Sequence, residues 1–271
     1  MPKIIGFKLN SLFLVKPELA LSQAFYLFCA PRRGKVGTEQ AVFLNPAKSE
    51  TISVEKKSLQ TYRWKGTKEC ILLMHGWESN THRWKQLIEK LQLEDYDIVA
   101  FDAPAHGNSS GKLFNVPLYA KCVDAMVQKY SPSHIIGHSV GGMTAVYHQH
   151  CFPKQKMSKL VLLGPPSELT LIMDDFQKIL NLSSRFMKGL EVYFHKKFGF
   201  WFSEFSTAKF AKSLSQKGLI VHDKYDKIAP VSASKAIHKN WGNSRLVLTE
   251  GAGHSLNNEA ILAEVIAFLK E

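Results

Sequence analysis

An α/β protein built on a mostly parallel, doubly wound sheet is what this 271-residue sequence predicts. Three observations carry that expectation. Short apolar runs recur at Ile71-Leu72-Leu73-Met74, Ile98-Val99-Ala100-Phe101, Ile135-Ile136, Leu160-Val161-Leu162-Leu163, Leu219-Ile220-Val221 and Leu246-Val247-Leu248. Continuous runs of this kind suit parallel strands covered on both faces. Helical patterns separate them, with Trp84, Leu87, Ile88 and Leu91 in the first gap and Leu118, Cys122, Ala125 and Met126 in the second. Polar or glycine-containing stretches follow the runs, and ligands of such sheets sit beyond the carboxyl ends of the strands.

At the start of the chain, residues 4–15 are apolar but interrupted by Lys8, Asn10 and Ser11. No small-x-small cleavage site follows, so no signal peptide is expected. Bulky Phe28 before Cys29 argues against a lipoprotein site. Pro17 can open a helix carrying Leu21, Phe25 and Phe28 at helical spacing, and Pro31 stops it. This helix is expected to pack on the domain. The rival is an exposed anchor or dimer contact, and the lack of a basic face between Pro17 and Ala30 counts against membrane binding. From Gln40 to Trp64, polar–apolar alternation predicts one or two edge strands in a hairpin.

Residues 166–217 break the strand–helix alternation. They hold helical patterns over Leu169–Leu180 and Ser183–Phe198, and ten of the chain's 30 aromatic residues. A helical cap inserted between strands would use these rings for its own packing and for pocket lining. The domains expected are an N-terminal helical extension over 1–39 packed on the core, a core over 40–165 and 218–271, and a cap over 166–217.

The formal charge of +12 is spread over single residues and pairs such as Arg32-Arg33, Lys56-Lys57 and Lys196-Lys197. Scattered lysines suit a solvated surface, so no nucleic acid is expected as a partner. No apolar run reaches the roughly 18 residues of a membrane span. Cys29, Cys70, Cys122 and Cys151 lie far apart and read as reduced structural thiols. Cytoplasmic residence is the expectation. His148-x-His150 is the one tight histidine pair, and positions two apart on a helix point in different directions. No metal and no cofactor are expected.

The chemistry centres on Gly137-His138-Ser139-Val140-Gly141, a G-x-S-x-G pattern where an apolar run gives way to a helical stretch. Such a turn would raise a serine on a strained strand-to-helix corner. Upstream, His75-Gly76-Trp77 follows one strand, and Asp102-Ala103-Pro104-Ala105-His106-Gly107-Asn108-Ser109 follows the next. Downstream come Val221-His222-Asp223-Lys224-Tyr225-Asp226-Lys227-Ile228-Ala229-Pro230 and Thr249-Glu250-Gly251-Ala252-Gly253-His254. A serine hydroxyl is a weak nucleophile at neutral pH and needs a base, here a histidine oriented by a carboxylate.

Over residues 68–271 this ordered set resembles the α/β-hydrolase superfamily, of the small capped serine esterase or lipase type. The resemblance implies Ser139 as nucleophile, His254 as base and Asp226 as triad acid, since the family places the acid four residues before the proline. Asp223 then falls where relatives often carry glycine and reads as a turn residue. Asp102 comes too early in the order to be the acid, and its loop reads as a support, with Ala105 replacing the first glycine of the family's D-x-x-G-x-G-x-S pattern. The N–H groups of Trp77 and Val140 are implied as the oxyanion hole. Trp77, His138, Phe176 and Trp201 are the candidate substrate contacts. Relatives that open epoxides or remove halogens carry Asp in place of the serine, so those activities are disfavoured.

The expected function is a serine hydrolase cleaving a small-molecule carboxylic ester with an apolar acyl or alcohol part. Thioesterase, C–C bond hydrolase, aminopeptidase and perhydrolase chemistries share the same triad and stay open. So does a ligand-binding protein that keeps the fold without turnover, and so does the choice between monomer and homodimer.

Overall fold

The computed structural model describes residues 2–153 and 157–271. In chain order its elements are α1 (Pro2–Val15), α2 (Pro17–Cys29), α3 (Thr38–Leu44), β1 (Lys48–Val54), β2 (Lys57–Trp64), β3 (Cys70–Met74), α4 (Lys85–Leu93), β4 (Asp97–Phe101), α5 (Val116–Tyr130), β5 (His134–His138), α6 (Val140–Cys151) and β6 (Lys159–Leu163). There follow α7 (Leu169–Leu180), α8 (Ser184–Phe198), α9 (Thr207–Phe210), β7 (Lys217–Asp223), α10 (Val231–Asn240), β8 (Ser244–Thr249) and α11 (Glu259–Lys270). Thr38–Leu44 is helical, although the alternation from Gln40 onward predicts strand.

The eight strands form one sheet in the order β1-β2-β4-β3-β5-β6-β7-β8. β1 and β2 are an antiparallel hairpin, β2 runs antiparallel to β4, and all further pairings are parallel. Period-two alternation splits the apolar runs between two cores. Ile71, Leu73, Ile98, Ala100, Ile136, Val161 and Leu219 face Leu87 and Leu91 of α4 and Val265 and Leu269 of α11. Leu72, Met74, Val99, Phe101, Ile135, Leu160 and Ile220 face Cys122 and Met126 of α5, Val146 of α6 and Ile237 of α10. Both faces are covered, which is why these strands read as unbroken apolar runs rather than alternating ones.

By contacts the chain divides into two compact units. One holds residues 31–167 and 207–271, with the whole sheet. The other holds residues 1–30 and 168–206. The sequence drew separate pieces at 1–39, packed on the core, and at 166–217. The contacts group most of the two together, and the physical reason is aromatic packing. Phe13 meets Phe186 at 4.9 Å, Phe25 meets Phe194 at 5.3 Å, and Phe28 meets Phe176 at 5.3 Å, each between ring centroids. Asn10, a polar break in the apolar first stretch, also has a partner there. Its Nδ2 donates to the Asn181 carbonyl at 3.0 Å, and its Oδ1 accepts the Ser183 N–H at 3.0 Å. Residues 2–15 are a full helix, α1, despite the polar interruptions.

Candidate active site

The carboxyl ends of the strands gather the sequence's candidate residues. β5 ends at His138 and α6 begins at Val140, so Ser139 alone makes the corner. Its φ of +53° with ψ of −125° is a conformation that residues with a Cβ rarely adopt. The flanking glycines make the corner possible. A Cβ on Gly137 would lie 2.7 Å from the backbone of Gly141 and Gly142, and one on Gly141 would lie 2.4 Å from the Met74 carbonyl oxygen. The Ser139 N–H donates to the Leu163 carbonyl at 2.8 Å, which ties the corner to β6.

Ser139 Oγ lies 2.9 Å from His254 Nε2, and His254 Nδ1 lies 2.7 Å from Asp226 Oδ2. An ionised carboxylate only accepts, so Nδ1 carries the proton and Nε2 is left to accept from the serine hydroxyl. The Asp226 side chain has no exposed surface. Its Oδ1 accepts the N–H groups of Ile228 and Ala229 at 2.8 and 3.1 Å. Gly164, at φ +59°, lies beside the pair; a Cβ there would be 3.5 Å from His254 Nδ1.

A second histidine approaches the same carboxylate. His222 Nε2 is 3.4 Å from Asp226 Oδ2. That nitrogen donates to the Ala229 carbonyl at 2.9 Å, while Nδ1 is hydrogen-bonded to Ser234 Oγ at 2.6 Å. The two partners hold the ring with its Nε2–H toward the loop of Asp226.

Asp223 is buried and holds the loop that carries His254. Its Oδ2 accepts the Ala252 N–H at 2.8 Å and the Thr249 hydroxyl at 3.2 Å, and its Oδ1 accepts the Tyr225 N–H at 3.0 Å. Burial pushes this carboxyl up, but the hydrogen bonds outweigh burial and hold it below the usual carboxylate value. Two more side chains grip the same loop. His138 Nε2 donates to the His254 carbonyl at 2.8 Å, and Arg83 Nη2 donates to the Ser255 carbonyl at 2.9 Å. His138 is only 7% exposed, and burial, with the Arg83 charge next, lowers its pKa well below the ordinary value. Neither Asp223 as a loop clamp nor His222 as a neighbour of the acid was read from sequence. The available signal was a buried-type strand ending in His-Asp where relatives often have glycine.

Val140 follows Ser139 directly, and Trp77 lies in the loop after β3. Val140 opens α6, and a first-turn N–H has no acceptor inside its own helix. The loop before Trp77 runs close to the serine: a Cβ on Gly76 would be 3.0 Å from Ser139 Cβ. Two buried histidines fix that loop. His75 Nδ1 donates to the Gly76 carbonyl at 2.8 Å and Nε2 accepts the Ala103 N–H at 2.9 Å. His106 Nδ1 donates to the Pro104 carbonyl at 2.9 Å and Nε2 accepts the Glu78 N–H at 3.0 Å. Burial pushes each down to about 4. Asp102 accepts from Thr81 N–H, Asn108 N–H and the Tyr62 hydroxyl, so it braces the same region.

Phe176 and Trp201 lie in the unit of residues 1–30 and 168–206, where Phe176 packs on Phe28 and Trp201 stacks on His195 at 4.0 Å between centroids. His148 Nε2 is 3.7 Å from Asp124 Oδ1, and His150 Nδ1 is 3.3 Å from Ser213 Oγ. Among the described residues no group of three or more His, Cys, Asp or Glu is arranged to hold a metal ion.

Known proteins share this arrangement of elements. The family described as the alpha/beta hydrolase fold matches residues 69–197, and the one described as TAP-like protein matches residues 203–271. The chain belongs to the α/β-hydrolase superfamily. Among curated relatives, a serine hydrolase-like protein of Danio rerio is 31% identical over 121 residues, 41% of this chain and 36% of the relative. Phospholipase YtpA of Bacillus subtilis is 28% identical over 140 residues, 48% of this chain and 52% of the relative. This α/β hydrolase thus spans about half or less of the length of these relatives. Among solved structures, an esterase from Exiguobacterium antarcticum covers 83% of this chain and 100% of its own at a TM-score of 0.66 and 17% identity, a likeness of fold. No described helix is long and apolar enough to cross a membrane.

Proposed function

We propose that this α/β hydrolase is a serine hydrolase that cleaves a carboxylic ester with an apolar acyl or alcohol part. The observation that carries the reading is the relay from Ser139 Oγ through His254 to Asp226, at 2.9 and 2.7 Å. Ser139 Oγ attacks the ester carbonyl while His254 Nε2 takes its proton. The imidazolium so formed is stabilised by Asp226, which keeps its own charge. The carbonyl oxygen becomes negative and is held by the N–H groups of Trp77 and Val140. His254 then gives its proton to the leaving alkoxide, so an alcohol departs and an acyl-enzyme remains. Water, deprotonated by the same nitrogen, attacks that ester and restores Ser139.

Carbonyl chemistry is favoured over displacement at a saturated carbon because the corner residue is Ser rather than Asp. Trp77 is 38% exposed and directly follows Gly76, which approaches Ser139, and its indole packs on Phe114; this supports an apolar group on the substrate. Relatives named as esterases and as a phospholipase agree with an ester as the class of bond.

The test is hydrolysis of p-nitrophenyl esters of increasing acyl length, with labelling by a fluorophosphonate. Wild type is expected to turn over and to be labelled at Ser139. Ser139→Ala is expected to lose about 10⁴-fold or more in kcat and all labelling. Equal turnover by both proteins would overturn the mechanism.

A further inference from the structure

The first helix presents a second, outward apolar face. Successive residues of an α-helix turn by about 100°, so Ile4, Phe7, Ser11 and Leu14 fall in one stripe with Val15 at its edge. Ile4 is 61% exposed, Phe7 71%, Leu14 74% and Val15 77%. The inner face is a different set: Gly6 and Leu9 are buried, and Phe13 packs on Phe186. A Cβ on Gly6 would overlap the Leu180 carbonyl, so the helix is seated as closely on α7 as its backbone allows. The inner face therefore fixes the helix, and the stripe does no packing within the chain.

Lysines flank this stripe on both sides. Lys3 is four residues before Phe7 and Lys8 is four residues after Ile4, which puts one on each margin. Both are exposed, and among the described residues neither forms an ion pair. Residues 2–17 contain no Asp or Glu.

We propose that α1 docks in the plane of an anionic lipid surface, with Ile4, Phe7 and Leu14 in the acyl boundary and Lys3 and Lys8 on the headgroup phosphates. The charge pattern chooses this occupant over a second copy of the chain. Pairing two such stripes would set lysines against lysines with no carboxylate on either helix to meet them. A lipid surface supplies apolar depth beneath the stripe and negative charge at its margins, and lysine stems reach along apolar surface to keep their ammonium groups at the phosphates. The basic residues lie on α1 and not between Pro17 and Ala30, which is why the second helix alone gave no such signal. The proposal stands apart from the ester-cleavage reading, since it uses none of that site's residues.

The full chain tests it by co-sedimentation with vesicles of phosphatidylcholine alone and of phosphatidylcholine with phosphatidylglycerol. Binding is expected to the anionic vesicles, to weaken as salt is raised, and to fall about fivefold for each of Lys3→Gln and Lys8→Gln. Phe7→Ser with Leu14→Ser is expected to abolish it, with an unchanged far-ultraviolet spectrum and melting curve. Leu93→Ser, at an apolar residue 87% exposed elsewhere, is expected to bind as wild type does. Absence of binding to anionic vesicles overturns the proposal, as does undiminished binding of the Phe7/Leu14 variant. A dimer in analytical ultracentrifugation that Phe7→Ser dissociates would assign the stripe to a second copy instead.

Discussion

Asp223 Oδ2 accepts the backbone N–H of Ala252 at 2.8 Å, two residues before His254. The two residues belong to neighbouring loops, because Asp223 and Thr249 are paired at the ends of β7 and β8. One carboxylate thus clamps the loop of His254 to the strand that leads into the loop of Asp226. Removing it strands buried N–H donors, each costing about 1–3 kcal/mol. Asp223→Gly is expected to destabilise the fold by about 3 kcal/mol and to lower kcat about 10²-fold with little change in KM, since a displacement near 1 Å at the base is costly. Asp223→Asn keeps an acceptor and is expected to recover part of both. Urea titration and steady-state kinetics on all three proteins check this; unchanged kcat in Asp223→Gly would reduce Asp223 to a turn residue.

Asp226→Asn should behave differently, which separates the two carboxylates. An amide at 226 can donate to His254 Nδ1 and leave the proton on Nε2, facing Ser139. A ring in that tautomer cannot take the serine proton. On the proposed mechanism kcat drops about 10⁴-fold, while stability changes less than in Asp223→Gly because the Oδ1 acceptor for Ile228 and Ala229 can remain. Kinetics of Asp226→Asn comparable to those of Asp223→Asn would argue against the assignment of the acid.

The loop that holds Gly76 and Trp77 carries its own pH dependence. His75 and His106 are held neutral in the fold with pKa values lowered from 6.5 to about 4 by burial. Between those values the unfolded chain binds protons that the folded chain does not, so stability falls as pH falls. The contribution is fully present above 6.5, is lost progressively toward about 4, and amounts to on the order of 3 kcal/mol for each ring. Asp223, with a lowered carboxyl, acts in a separate window, losing its contribution only as pH falls below 3.8. Melting temperature is expected to decline across the histidine window and to decline less steeply in His106→Gln. A flat profile in wild type would contradict neutral, hydrogen-bonded rings at both positions.

The strands were legible because burial on both faces leaves uninterrupted apolar runs, a purely local signal. The chain order Ser139, Asp226, His254 was legible because each follows a strand and keeps its distance from a glycine or proline marker. What sequence did not reveal depends on distant partners. Asn10 reads as a flaw in an apolar stretch until Asn181 and Ser183 are brought to it. Phe25 and Phe28 read as packing on the core, whereas their ring partners Phe194 and Phe176 lie 169 and 148 residues further along the chain. Asp223 reads as a turn because its acceptor role is spent on Ala252, 29 residues on. His138 reads as a substrate contact because it adjoins the serine, and only the fold turns its Nε2 onto the His254 carbonyl.

The last expectation concerns the corner itself. Gly137 precedes Ser139 by two residues at the end of β5, and a Cβ there would lie 2.7 Å from the Gly141 carbonyl and from Gly142 Cα. These are backbone atoms of the first turn of α6, so a rotamer change cannot relieve the clash. Either α6 moves away from the strand or β5 bends, and both displace Ser139 from His254. Gly137→Ala is therefore expected to cost at least 3 kcal/mol of stability, in the range of overpacked cores, and about 10²-fold in kcat where the protein still folds. Gly242 offers the contrast, since a Cβ there meets nothing within 4 Å. Gly242→Ala is expected to stay within about 0.5 kcal/mol of wild type, as surface changes do, with full activity. Equal melting temperatures for the two variants would show that close approach of β5 and α6 does not hold the serine in its strained conformation.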